Sequence, residues 1–289
     1  MYSGFIMDFS KIFEDLPDSI PSIISNKLSA DNLEDINTKD LLDLLKRLEI
    51  LSELLHLMGS SNPELVSCLT QVIQELRSRS RAKMKGLYVI IDPDATNNRN
   101  IFDVTKAAIE GGVSVVQYRD KKLDRSYFLN NSFLLKEICD ESSVSFVVND
   151  AVDVARLVNS SFLHVGQSDM KVESARKLLL SSQCIGTSNN GLTETSVSEE
   201  DGSDYLAVGA VYATSTMGKS SRKPVGTETL VKVKSKTNLP VVAIGGINES
   251  NLAEVRTTGV DAACIVSSIT YAADPERSVK ELVHIWENA

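Results

Sequence analysis

Eight short apolar runs, separated by longer amphipathic stretches, constrain residues 86–289 more than any other feature of the chain. The runs are 87–91, 113–118, 144–148, 162–165, 183–187, 205–209, 240–244 and 262–266. Several are apolar at nearly every position, which is the pattern of parallel strands buried on both faces. Eight such strands alternating with helices predict an α/β fold, a (β/α)8 TIM barrel. Roughly 200 residues is the lower end of that fold's usual length. An open doubly wound sheet would call for a glycine-rich turn after its first strand. Here Asp92-Pro93-Asp94 follows instead.

Residues 1–80 differ. They hold 13 acidic and seven basic residues, so six of the nine net negative charges lie there. Leu41, Leu44, Leu45, Leu48, Leu51 and Leu55 follow helical spacing. Thr38 is the expected cap of that helix and Gly59 its end. Asn62 and Pro63 then predict the start of a second helix, burying Leu65, Leu69, Val72 and Leu76 as far as about residue 79. The expected architecture is a helical hairpin, a short basic linker at 77–85, and the barrel from Gly86. The leucine stripe has two possible destinations, the barrel or a second copy in a homo-oligomer.

In a barrel the strand C-termini and the loops after them form the site. The second run ends in Gln117, Tyr118, Arg119, Asp120 and Lys121. Strand alternation sends Gln117, Arg119 and Lys121 to one side. Two cations there suit a polyanion. Asn149-Asp150 follows the third run and Gly166-Gln167-Ser168-Asp169 the fourth. Two carboxylates with no adjacent His or Cys favour Mg2+ over zinc. Each could equally be a helix cap. His164, alone, reads as structural. Ser188 follows the fifth run and Thr214-Ser215-Thr216 the sixth; hydroxyls and free N–H groups of such a loop can cradle phosphate. Gly245-Gly246 and Val266-Ser267 follow the last two runs, where barrels often bind phosphate.

Taken together, the motifs QYRDK (117–121), ND (149–150), HVGQSD (164–169), IGTS (185–188), TST (214–216), AIGGI (243–247) and IVS (265–267) resemble the thiamine-phosphate synthase family, from about residue 86 to 287. Asp150, Asp169 and Ser188 are spaced nineteen residues apart, as in that family. The resemblance implies a transferase of thiamine biosynthesis. It would join an aminopyrimidine pyrophosphate to a thiazole phosphate and release pyrophosphate. Gln117 through Lys121, with Asn149 and Ser188, would hold the first substrate; Asp150 and Asp169 would bind Mg2+. Thr214, Ser215, Thr216, Gly246, Val266 and Ser267 would hold the thiazole phosphate. Arg119, Lys121, Ser188 and the two aspartates form the implied catalytic set. A related branch tautomerises a thiazole carboxylate phosphate and transfers nothing, and a phosphate-ligand sensor is a non-enzymatic alternative. The family's lysine after Thr-x-Thr is Met217 here, leaving Lys219, Arg222 or Lys223 as substitutes.

The net charge of -9 argues against nucleic acid as a partner. No apolar run reaches the roughly 18 residues of a membrane span. The first ten residues include Asp8 and no basic residue, unlike a secretory signal. Four scattered cysteines fit reduced thiols, and a cytoplasmic location is expected.

Overall fold

A computed structural model describes residues 36–57, 63–216 and 223–289. The chain divides into two units, Met1–Arg79 and Ser80–Ala289.

In the first unit, helices α1 (Thr38–Leu57) and α2 (Pro63–Arg81) form, as the leucine spacing predicts. The cap is Asn37 rather than Thr38: its Oδ1 accepts the Asp40 N–H at 3.0 Å. Asparagine is the stronger cap, and Thr38 becomes the first helical residue. Gly59 and Asn62 lie outside the described residues, as do the side chains of Leu51, Leu55 and Leu65. Leu41, Leu44, Leu45 and Leu48 pack against Cys68, Val72 and Leu76 of α2, so much of the stripe is used inside the hairpin.

The second unit is a closed parallel barrel with strands in sequence order. It runs β1 (Gly86–Ile91), α3 (Ile101–Gly111), β2 (Val115–Tyr118), α4 (Arg125–Glu141), β3 (Ser145–Asn149), α5 (Val152–Leu157), β4 (Phe162–Val165) and α6 (Val172–Arg176). There follow β5 (Cys184–Asn189), α7 (Leu192–Glu200), β6 (Tyr205–Gly209), α8 (Thr227–Lys234), β7 (Val241–Ile244), α9 (Leu252–Thr257), β8 (Ala262–Ile265), α10 (Ser267–Thr270) and α11 (Pro275–Asn288). Each strand lies within two residues of its predicted run.

Alternation along the strands makes two cores. Outward residues such as Val89, Val116, Leu163 and Ile265 pack under the helices with Val104, Leu135 and Leu282. Inward residues such as Tyr88, Val147, Phe162, Tyr205 and Val242 fill the barrel. Met84 joins this inner cluster and is buried, so the stretch read as a polar linker already contributes to the barrel. Gly186 is paired in register with Tyr205. A Cβ there would overlap the tyrosine ring, so glycine makes room for it.

Candidate functional site

The charged half of the site is built at the ends of β1 to β4. Asp92 follows β1 directly and is buried. Its Oδ1 accepts the Asp94 N–H at 3.0 Å, and its Oδ2 takes the Arg119 guanidinium. Asp92 therefore fixes the direction of Arg119. In sequence nothing marks Asp92 as part of the site, because its partner lies 27 residues away. Lys121 is more exposed, with Nζ 3.2 Å from Asp150 Oδ2. Asp150 holds a left-handed φ of 58°, a conformation Asp tolerates better than most residues. Its N–H donates to the His164 carbonyl across the strand ends at 2.8 Å. Asp169 Oδ2 accepts the Gly166 N–H at 2.9 Å.

The two carboxylates interact. Burial first, then the Asp169 charge, push the Asp150 carboxyl above the usual range, with Lys121 opposing. Among the described residues no group of three or more His, Cys, Asp or Glu gathers for a metal. Paired carboxylates suffice for Mg2+, which uses one or two of them and completes its shell with phosphate oxygen and water. A residual negative field at Asp150 and Asp169 fits such a cation.

Inside the barrel a hydrogen-bonded chain links the two halves. Gln117 Nε2 donates to Tyr88 Oη at 2.5 Å, and the Tyr88 and Tyr205 hydroxyls are 3.4 Å apart. Tyr205 Oη is 2.9 Å from His164 Nδ1, whose Nε2 is 2.9 Å from Ser188 Oγ. Burial drives both tyrosine pKa values up, so the phenols stay protonated. An unmatched buried polar group would cost about 1–3 kcal/mol. His164 is thus structurally satisfied, as read from sequence, and it also orients Ser188. The two tyrosines were missed because they sit inside apolar runs. Gly186, opposite Tyr205 in register, was the available signal.

The neutral half lies at β5 to β8. A cavity of about 50 Å3, open to solvent, is lined by Ser188, Thr214, Thr216, Gly246, Val266 and Ser267, among others. Gly246 has φ 68°, and a Cβ would come within 2.7 Å of the Ala213 carbonyl. Thr214 Oγ1 accepts the Thr216 N–H at 3.3 Å. A second, more open cavity of about 440 Å3 is lined by Asp120, Lys121, Asn149 and Asp150, with Arg125 and Phe128 at its side.

Two candidates, Tyr118 and Ser215, are placed differently. The Tyr118 ring faces outward, stacks on Phe128 at 4.7 Å between centroids, and accepts Asn131 Nδ2 at 3.1 Å. It is fully buried and serves packing, not the site. Asp120 lines the second cavity, and its carboxylate also accepts the N–H groups of Lys122 and Leu123, so it shapes the loop as well. Ser215 is exposed and lines neither cavity. Met217, Lys219 and Arg222 lie outside the described residues; Lys223 is exposed.

Closed topology and cavities at the strand carboxyl ends place the chain among (β/α)8-barrel enzymes. A family model described as thiamine monophosphate synthase matches residues 87–269. Thiamine-phosphate synthase of Clostridium acetobutylicum is 38% identical, over 64% of this chain and 87% of its own length. The Clostridium tetani enzyme is 34% identical, over 68% and 93%. A solved thiamine phosphate pyrophosphorylase from Pyrococcus furiosus is similar at 34% identity and TM-score 0.66, over 72% of this chain and 97% of that one. The chain belongs to the thiamine-phosphate synthase family, and it is a transferase of thiamine biosynthesis.

Proposed function

We propose that this chain is a Mg2+-dependent enzyme acting on an aminopyrimidine pyrophosphate and a thiazole phosphate. The observation that carries the proposal is the convergence of Asp150 and Asp169, with Lys121 beside them, across the barrel mouth from a neutral, glycine- and hydroxyl-lined cavity.

Gln117, Arg119, Lys121, Asn149 and Ser188 hold the aminopyrimidine pyrophosphate; Thr214, Thr216, Gly246, Val266 and Ser267 hold the thiazole phosphate. The bond that breaks joins the ring's exocyclic carbon to a pyrophosphate oxygen, and the electron pair leaves with pyrophosphate. The bond that forms joins the thiazole nitrogen to that carbon. That nitrogen carries no proton, so no general base is needed. Arg119, fixed by Asp92, and Lys121 meet the charge that develops on the leaving group, which lowers the barrier electrostatically. Asp150 and Asp169 would hold Mg2+, which when bound neutralises charge on pyrophosphate. Orienting both substrates in one mouth removes much of the entropic cost of their meeting.

A steady-state assay with both substrates tests the proposal. Product formation that vanishes with chelator and returns with Mg2+ is expected. Turnover of a thiazole phosphate alone, without the pyrimidine, would favour a tautomerase. Binding of thiamine phosphate without turnover would favour a sensor.

A further inference from the structure

The loop after β6 carries Thr214 and Thr216, and its foot is tied by backbone hydrogen bonds. Val225 N–H donates to the Ala210 carbonyl at 2.8 Å, Gly226 N–H to Val211 at 3.1 Å, and Tyr212 N–H to Gly245 at 3.0 Å. A side chain from outside the cavity adds a second tie. Tyr212 Oη donates to Glu254 Oε2 at 2.9 Å, and Thr227 Oγ1 donates to Glu254 Oε1 at 2.8 Å. Tyr212 stands at the start of the segment and Thr227 at its end.

From this geometry we infer that Glu254 is a positioning residue for the thiazole-phosphate side of the site, acting through Tyr212 and Thr227 to fix the loop that bears Thr214 and Thr216. The carboxylate does not line the cavity, so it touches no substrate there. Glu254 sits on α9, whose Leu252 and Val255 are buried and anchor the helix. One turn earlier, Asn251 Nδ2 donates to the Gly246 carbonyl at 2.9 Å. Asn251 stands just before α9 and Glu254 in its first turn. The start of α9 therefore holds the β7 loop through Asn251 and the β6 loop through Glu254. The two loops also touch directly, since only glycine at 246 fits beneath Tyr212 and Ala213. Burial and then the Glu254 contact raise the Tyr212 hydroxyl to about 12, so it stays a donor at neutral pH.

The inference rests on the assignment of thiazole phosphate to this cavity. It is tested by steady-state kinetics on the full chain with Glu254→Ala, Glu254→Gln and Tyr212→Phe, each checked for cooperative melting. Losing two hydrogen bonds is expected to raise the thiazole-phosphate KM roughly ten-fold in Glu254→Ala. Turnover at saturation and the aminopyrimidine-pyrophosphate KM should stay within about two-fold, because those contacts lie elsewhere. Glu254→Gln should recover most of the loss, since its amide oxygen still accepts from Tyr212 and its amide N–H can donate to the Thr227 hydroxyl oxygen in a reversed hydrogen bond. Tyr212→Phe should fall between. An unchanged thiazole-phosphate KM in Glu254→Ala, equal changes in both KM values, or no recovery in Glu254→Gln would overturn the inference. Calorimetric titration with inorganic phosphate reads the same loop without turnover. An inactive wild type would remove the reaction assignment, while weaker phosphate binding in Glu254→Ala would still support the strut and unchanged binding would overturn it.

Discussion

At the N-terminal end of the barrel, Asp204 and Asp261 each accept a backbone N–H from the adjoining strand, Ile185 and Val241, both at 2.8 Å. Each also pairs with a cation: Arg176 with Asp204, and Lys234 with Asp261 at 2.6 Å. Arg176 spends further donors on the Gln183 and Gly202 carbonyls. At the C-terminal end, Asp150 faces a like charge in Asp169 and has a half-exposed lysine as its cation. The residue type is the same at both ends, but its role differs. Compensated carboxylates stitch strands together, whereas under-compensated ones are available to a ligand.

The largest effect should come from breaking the mouth pair. Asp150→Ala or Asp169→Ala is expected to lower kcat/KM by about 10³-fold or more while the barrel still melts cooperatively. Stability should move the other way. A carboxyl whose folded pKa is raised favours the native state fully only below its unfolded pKa, and that contribution is lost as pH rises through the folded value. Metal-free Asp150→Asn should therefore melt higher than wild type at neutral pH, and the difference should shrink in acid. Equal melting at all pH values would show that the carboxylate is already compensated.

Arg119→Lys keeps the charge but loses the guanidinium fork that Asp92 orients. A fall of about 10²-fold in kcat/KM is expected. A variant with near-normal kinetics would show that charge alone suffices. Gly246→Ala tests the neutral half. It forces a left-handed backbone and a clash with Ala213, for a cost of about 1–3 kcal/mol. The thiazole-phosphate KM should rise more than the aminopyrimidine-pyrophosphate KM.

Asp204→Asn probes the opposite end. Breaking this buried pair should cost about 3 kcal/mol in denaturant titration with kcat little changed. The smallest effect on catalysis is expected from removing residues 1–79. The remaining unit keeps Met84 in the barrel interior, so it should stay folded, with kcat/KM within about two-fold of the full chain. Aggregation or inactivity would show that the hairpin is integral to the enzyme.

Much of this fold was legible in the sequence because a parallel barrel buries both faces of every strand, which leaves eight apolar runs. The candidate site residues could be singled out from sequence because each sits in the last residues of a strand or in the loop just after it. What escaped were partnerships across the barrel. Asp92 and Arg119 are distant in sequence, as are Tyr88 and Gln117, and no local pattern announces such contacts. Tyr118 fails for a different reason. Alternation had already put Gln117 and Arg119 on the site side, so Tyr118 had to face the helices. The motif resemblance carried it into the site against that geometry. Thr38 lost the capping role to Asn37 one residue earlier, within the usual uncertainty of a helix boundary.

The direct test of the mouth is calorimetric titration of Mg2+ in the presence of pyrophosphate, comparing wild type with Asp150→Asn and Asp169→Asn. The account expects one Mg2+ bound per wild-type chain, and affinity reduced at least about ten-fold in either variant. Wild-type affinity in both variants would contradict it, since Asp150 and Asp169 would then not share the ion.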